Sequence, residues 1–176
     1  TVQDGNLYFS WIASGVTKSA PPVKHEGEKQ EQEFAVSKRF FDFVGNPVTA
    51  QEFVLGTPYI VELSFSSRRH LSDVVVVDLL PACFEIENPH LASRLSWEKG
   101  SNPFMPVAHI DIRDDRLLLF TDIPETTKQG PARFRYVVRA IAEGVFCAPG
   151  TEASCMYEPE IEASTESSAV QVKKNL

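Results

Sequence analysis

The sequence predicts an all-β protein, an antiparallel β-sandwich with one short helix. In many segments hydrophobic residues alternate with polar ones, which is the period of a strand with one buried face. Turn-forming residues separate these segments at short intervals, and only one segment has the features of a helix. Roughly ten short strands with one small helix are typical of two sheets packed face to face.

Four predicted strands show the alternation directly. In the first, Tyr59, Val61, Leu63 and Phe65 are expected in the core, and Ile60, Glu62, Ser64 and Ser66 in water. The other three put these residues in the core: Phe84 and Ile86; Ala108, Ile110 and Ile112; Phe134, Tyr136, Val138 and Ala140. The continuous run Val74–Val77 instead predicts a strand that is buried on both faces.

Further strands are predicted from composition alone. They are Leu7–Ala13, Phe34–Phe41, Leu117–Thr121, Val145–Ala148, Ala153–Tyr157 and Ala169–Lys173. Asp114-Asp115 forms a tight polar corner and predicts a hairpin between two strands. The helix is predicted from Asn88, which can cap it, to Gly100, which can end it, with Pro89 in the first turn.

The chain divides into three parts. Residues 18–32 contain two prolines and several charges but almost no large apolar residue, which predicts a linker or long loop. Residues 1–17 then form a strand segment trailing from a preceding domain, and residues 33–176 form the sandwich. Because the chain begins with Thr1, we expect it to be a piece of a longer protein.

Composition limits the classes of function. The 17 basic and 24 acidic residues give a net charge of −7, which argues against nucleic acid or an anionic membrane as the main partner. The run Val74–Val77 is bounded by Asp73 and Asp78, so it is far shorter than the roughly 20 residues of a membrane helix. We therefore expect no membrane insertion and no nucleic acid partner.

The sequence contains no established catalytic motif, and its candidate clusters have ordinary explanations. His109 and Asp111 share a strand face next to Asp114 and Asp115, but two ligands placed by geometry favour a solvated edge over a metal site. Arg133, Arg135 and Arg139 line one strand, where cross-strand ion pairs are favoured over an anion site. Glu85 and Glu87 are expected on an exposed face. We predict no catalytic residue, no metal and no cofactor.

Two further features remain open from the residues alone. Cys83, Cys147 and Cys155 match no zinc or redox spacing, and Cys147 could bridge Cys155 only if their strands are neighbours. Met156 and Tyr157 are adjacent, so in a strand they point to opposite faces and cannot both enter one core. One of them either covers an interface with another domain or is an ordinary exposed side chain.

Several motifs in order resemble the last macroglobulin-like domain of bacterial alpha-2-macroglobulins. The segment Asp78–Pro89 resembles DLLPAGFEIENP, with Cys83 in place of the glycine, and Ile112–Phe120 resembles IRDDRVLLF. Two further motifs match in order: Phe134–Ala140 with Gly144 and Phe146, and Glu152–Glu160. The segment Leu7–Val16 resembles the part of the family's chain that leads into this domain. Cys83 then requires a backbone angle that a residue with a Cβ atom tolerates.

The resemblance implies a fold, a role and a location. It implies a macroglobulin-like sandwich of immunoglobulin-like architecture at the C-terminus of a large protease trap in the periplasm or cell envelope, with a lipid-anchored parent. It also implies that sister domains and target proteases are partners, and for some members a peptidoglycan synthase. The alternative is an adhesion or carbohydrate-binding module, for which only Trp11 and Trp97 are available as aromatic platforms.

The resemblance gives Met156 and Tyr157 a specific role. Relatives trap proteases with a Cys–Gln thioester of motif CxEQ, and none of the three cysteines here has Glu-Gln at that spacing. The thioester, if the parent has one, must therefore lie in another domain. In thioester-bearing relatives the Met-Tyr pair is thought to keep water from the thioester, so Met156 and Tyr157 are expected to form an interdomain shield.

Overall fold

The described chain consists of β-strands and their connections. A computed structural model describes residues 33–49, 51–87, 105, 107–128 and 130–174. Within these ranges twelve strands occur: β1 Phe34–Phe41, β2 Glu52–Val54, β3 Pro58–Ser67, β4 Leu71–Leu79, β5 Phe84–Ile86, β6 Val107–Arg113, β7 Arg116–Ile123, β8 Ala132–Ala140, β9 Gly144–Ala148, β10 Thr151–Cys155, β11 Glu162–Ser164 and β12 Ser168–Lys173. The predicted all-β class is confirmed.

Three sheets form around one main core. Sheet I has the strand order β1-β3-β8-β5, sheet II the order β11-β10-β4-β7-β6, and sheet III the order β2-β12-β9. All pairs are antiparallel except β12 with β2, which is parallel. The core lies between sheets I and II, where Val61, Leu63, Leu117 and Leu119 are almost completely buried. Sheets I and II thus form the predicted antiparallel sandwich, and the short strand β2 adds one parallel pair in sheet III.

Several predicted elements occur as expected. The strand β1 has the predicted bounds, and β6 and β7 form the predicted hairpin, in which Arg113 pairs with Arg116 across Asp114-Asp115. Among the described non-glycine residues only Gln51 and Asp73 have a positive φ, so the backbone at Cys83 has an ordinary angle. A side chain at this position therefore meets no left-handed backbone, which explains why cysteine fits where the motif that it resembles has glycine.

The predicted burial is wrong in β3, β4 and β6, and also at Val137 of β8, which the alternation placed in water and which is completely buried. In β3 the expected solvent face is buried as well, because Ile60 packs against Val137 and Glu62 lies under arginine side chains. In β4, Val74 and Val76 are buried while Val75 and Val77 are only half-buried, so this strand has one core face rather than two. In the edge strand β6, neighbours lie on one side only, and Ile110 and Ile112 are exposed.

Two short strands were not predicted, and one predicted strand ends early. The strands β2 and β11 have three residues each, too few to show a period. The strand β10 ends at Cys155, so Met156 and Tyr157 follow it instead of continuing it.

Some predictions fall outside the described residues. These are the segment 1–17, the linker 18–32 and the helix beginning at Asn88. The described ranges themselves contain no helix, and accordingly none that is apolar and long enough to span a membrane.

Candidate interdomain contact site

A short loop after β10 presents Met156 and Tyr157 to solvent. The Met156 N–H donates to the Asp73 carbonyl at 2.9 Å, which fixes the first residue of the loop to the start of β4. At the other end the Ile161 N–H donates to the Glu158 carbonyl at 2.9 Å, and the Ile161 side chain is buried. The loop is therefore held at both ends by backbone hydrogen bonds and an apolar anchor.

An arginine ties the same loop to the beginning of the described domain. Arg69 in the β3–β4 connection donates to Glu158 at 2.7 Å and to Glu33 at 2.7 Å. These two carboxylates, Glu158 first, raise the pKa of the Arg69 guanidinium above its ordinary value. Glu33, Arg69 and Glu158 are all well exposed, so they contribute orientation of the loop more than stability.

Both apolar side chains of the loop remain outside the core. Met156 is 53% exposed and Tyr157 is 79% exposed. Neither residue therefore packs into its own sandwich. An anchored loop that carries two exposed apolar side chains is suited to contact with another surface, since burial of such side chains on binding is favourable.

The His109 cluster forms no ligand set. The ring of His109 lies tilted against that of Phe120 with centroids 5.8 Å apart, and Asp111 is paired with Arg113 at 3.0 Å. Asp115 is paired with Arg116 at 2.6 Å, and these contacts lower its pKa. Among the residues that the structure describes, no three His, Cys, Asp or Glu side chains are grouped as metal ligands.

The arginine strand forms cross-strand ion pairs, as predicted. Arg135 binds the buried Glu62 of the neighbouring strand β3 at 2.5 Å, and Arg133 approaches the same carboxylate at 3.9 Å. Arg139 pairs with Glu87, while Glu85 is exposed. The two glutamates therefore do not form a pair of carboxylates in a shared pocket.

A buried polar cluster in the core was not predicted. The carboxylate of Asp78 in β4 is completely buried and accepts a hydrogen bond from Lys38 of β1 at 2.6 Å. Tyr136 of β8 donates to it at 2.5 Å, and Thr151 of β10 donates at 2.7 Å. Asp78 thus connects two strands of sheet I with two of sheet II, and full pairing makes its burial tolerable.

Tyr136 is expected to make stability depend on alkaline pH. Its pKa is raised well above the ordinary value by burial first, and then by the charge and hydrogen bond of Asp78. The folded state therefore keeps a proton that the unfolded state loses near about pH 10, so this stabilisation is complete below that pH and is lost as pH rises further. The free energy of unfolding should fall more steeply between about pH 9 and about pH 11 in the wild type than in Tyr136→Phe. Parallel curves would contradict the assignment.

The three cysteines are free thiols. Cys83 and Cys155 are buried, and burial raises the pKa of each thiol. Cys147 is exposed in β9 of sheet III, whereas Cys155 lies in β10 of sheet II. Their strands are not neighbours, so the condition for a bridge between them is not met.

Trp11 and Trp97, the two aromatic residues on which a carbohydrate-binding module would depend, lie outside the described residues.

The architecture matches solved structures of bacterial alpha-2-macroglobulins. The native conformation of the E. coli protein, from cryo-electron microscopy, matches with a TM-score of 0.72 and 24% identity over 90% of this chain and 10% of that chain. A crystal structure of the E. coli protein from domain MG7 to the C-terminus matches with a TM-score of 0.71 and 25% identity, over 90% of this chain and 25% of that chain. The crystal structure of a tyrosine-to-glycine mutant of the Salmonella protein matches with a TM-score of 0.70 and 25% identity, over 80% of this chain and 9% of that chain. The fold is therefore that of a macroglobulin-like domain.

The sequence places the chain within this class more narrowly. The family model for the bacterial alpha-2-macroglobulin MG10 domain matches residues 34–160, which is more than half of the chain. The chain belongs to this family. Alpha-2-macroglobulins of Xylella fastidiosa and Rickettsia conorii are 27% and 26% identical over 167 and 164 residues, covering 90% and 91% of this chain. The chain spans about a tenth of the length of these relatives, 10% and 8% respectively.

Proposed function

We propose that this domain is a non-catalytic docking module at the C-terminus of a bacterial alpha-2-macroglobulin, and that Met156 and Tyr157 shield a thioester in another domain of that protein. The observation that carries the proposal is the exposure of both side chains, 53% and 79%, on a loop fixed at both ends. Membership of the MG10 family supports the proposal, because a relative is about ten times longer than this chain and therefore has room for many other domains.

The physical basis of the shield is the burial of apolar surface. Moving one large apolar side chain out of water contributes about 1.5–3 kcal/mol, so two adjacent ones form a useful contact. The hydrogen bonds of Met156 and Ile161 hold the loop before binding, which reduces the entropy lost on docking. An activated acyl group survives only where water is excluded, and a tyrosine ring covers it without offering a nucleophilic amine or thiol.

The remaining functions belong to the parent protein. We infer a broad protease trap located in the periplasm or cell envelope, whose partners are target proteases and, in some branches, a peptidoglycan synthase. This domain supplies contact with sister domains and no chemistry of its own. The absence of a CxEQ motif supports that division of roles, because no thioester can form within these 176 residues.

Replacement of Tyr157 by glycine in the full-length parent should expose the thioester. We expect methylamine to react about tenfold faster with Tyr157→Gly than with wild type, which corresponds to about 1.4 kcal/mol of lost shielding. Spontaneous hydrolysis should rise in parallel. The measurement is the rate of thiol release from the thioester cysteine, with and without methylamine.

Tyr157→Phe is the matched control, because it keeps the ring and removes only the hydroxyl group. Its rates should stay close to those of the wild type. Equal rates in the wild type and Tyr157→Gly would contradict the shield, as would a parent sequence that lacks a thioester.

A further inference from the structure

The strand β4 contains a β-bulge beside the loop that follows β10. Ser72 and Asp73 of β4 together stand opposite one residue of β7, Asp122, because the register of this pair shifts between Leu71 and Val74. A bulge bends its strand and changes the direction of the groups around it, and bulges are frequent beside functional sites. The proposed function as stated so far assigns no role to this bulge.

The backbone of Asp73 has a left-handed conformation, with a φ of 53°. Among the described non-glycine residues only Gln51 shares a positive φ. Aspartate tolerates this region better than most residues, but the conformation still costs free energy in any residue with a Cβ atom. It therefore persists only where the surrounding structure fixes it.

The hydrogen bonds of Asp73 show what the left-handed conformation achieves. In a regular antiparallel strand, the N–H and the carbonyl of one residue bond to the same neighbouring strand. At Asp73 the N–H donates to Oδ1 of Asp122 in β7 at 3.0 Å, whereas the carbonyl accepts from the Met156 N–H after β10 at 2.9 Å. Because β7 and β10 flank β4 on opposite sides, this one residue connects Asp122 to the first residue of the loop.

The bond to Asp73 restrains the loop on the side of Met156. The ladder between β10 and β4 ends at Cys155, one residue before this bond. The other end of the loop is held separately at Ile161, whose carbonyl accepts from the Cys155 N–H at 3.1 Å. Loss of the bond from Met156 to Asp73 therefore loosens the backbone next to Tyr157 and leaves the anchor at Ile161 in place.

We propose that Asp122 is a positioning residue for the Met156–Tyr157 loop. Its carboxylate holds Asp73 in the left-handed conformation, and the Asp73 carbonyl in turn holds the loop in the position from which it shields the thioester. This role rests on the proposed function, since it concerns the same two side chains. Without the Asp122 acceptor, Asp73 relaxes towards extended backbone, its carbonyl turns away from the Met156 N–H, and Tyr157 loses its fixed position.

Asp122→Ala in the full-length parent tests the proposal. We expect the Met156 amide to exchange with deuterium about fivefold faster than in the wild type, the change produced by loss of one hydrogen bond. Amides of the interior strand β8 should keep their rates, because they open only with the whole domain. Mass spectrometry with electron-transfer fragmentation resolves single amides and measures both.

The reaction of the thioester with methylamine is the second measurement on the same variant. We expect a rate about threefold above that of the wild type, since a hydrogen bond of ordinary net strength is lost. The effect should be smaller than that of Tyr157→Gly, because the ring is kept and only its position is released.

Matched variants separate the acceptor and the backbone angle from a general disturbance. Asp122→Asn keeps a side-chain oxygen that can accept the Asp73 N–H, so both rates should return close to those of the wild type. Asp73→Gly suits a positive φ and should also resemble the wild type, whereas Asp73→Val disfavours it and should resemble Asp122→Ala. Asp114→Ala, which removes an exposed carboxylate from the β6–β7 turn, should change neither rate.

The outcomes distinguish this role from the proposed function. Faster exchange at Met156 together with faster reaction of the thioester, both reversed in Asp122→Asn, would support the positioning role. Unchanged exchange at Met156, or equal acceleration in β8, would overturn it. If Tyr157→Gly accelerates the reaction and Asp122→Ala does not, the positioning role is rejected and the proposed function stands. If neither variant changes the rate, the proposed function fails and the positioning role fails with it.

Discussion

Asp78→Ala is expected to lower the free energy of unfolding by about 3–5 kcal/mol, the usual effect of removing one partner of a buried ion pair. The substitution leaves the largely buried ammonium group of Lys38 without its carboxylate, and the hydroxyl groups of Tyr136 and Thr151 lose their acceptor. Urea unfolding of the 176-residue chain, followed by circular dichroism, measures the change.

Two variants make this result specific. Asp114→Ala removes a carboxylate from the exposed β6–β7 turn and should change stability by less than about 0.5 kcal/mol. The double variant Lys38→Met/Asp78→Leu removes both charges and should be more stable than Asp78→Ala, because no uncompensated charge remains. A loss below about 1 kcal/mol in Asp78→Ala would show that the cluster is not desolvated as described.

Phe53→Ala should destabilise the domain by about 3–5 kcal/mol, the cost of a large cavity in a packed core. Phe53 lies in the three-residue strand β2 and is almost completely buried. Its ring makes edge-to-face contacts with Phe40, Tyr59 and Phe84, with centroids 4.9–5.1 Å apart. The same urea titration, or the shift in melting temperature, measures the loss.

Phe43→Ala is the matched control for this prediction. The same chemical change at an exposed ring should alter the stability of the chain by less than about 0.5 kcal/mol. Equal losses in the two variants would contradict the burial of Phe53. A small loss in both would show that sheet III contributes little to the core.

The sequence predicted those parts of the fold in which the alternation of apolar and polar residues, or a turn motif, depends only on residues close together in the chain. The alternation in β8 identified Tyr136 and Val138 as core residues, and the corner at Asp114-Asp115 gave the β6–β7 hairpin. Burial of the second face of β3 could not be found this way. Glu62 and Ser64 are polar, and Glu62 is buried under Arg135, which reaches across from the neighbouring strand.

The candidate site was predicted only in part, for a similar reason. Adjacency marked Met156 and Tyr157 as unable to share one core, but their common exposure depends on the end of β10 at Cys155. The cluster at Asp78 gave no sequence signal. Its partners Lys38, Tyr136 and Thr151 lie 40, 58 and 73 residues away along the chain, and only the folded topology brings them together.

The bridge formed by Arg69 has a mechanical consequence. Glu33 is the residue at which the upstream chain enters β1, and its carbonyl also accepts from the Arg68 N–H at 3.0 Å. One guanidinium group thus joins this entry point to Glu158, one residue beyond Tyr157. Because these side chains are exposed, the bridge couples the position of the entry point to that of the loop only weakly, and the backbone hydrogen bonds of Met156 and Ile161 remain the main restraint on the tyrosine.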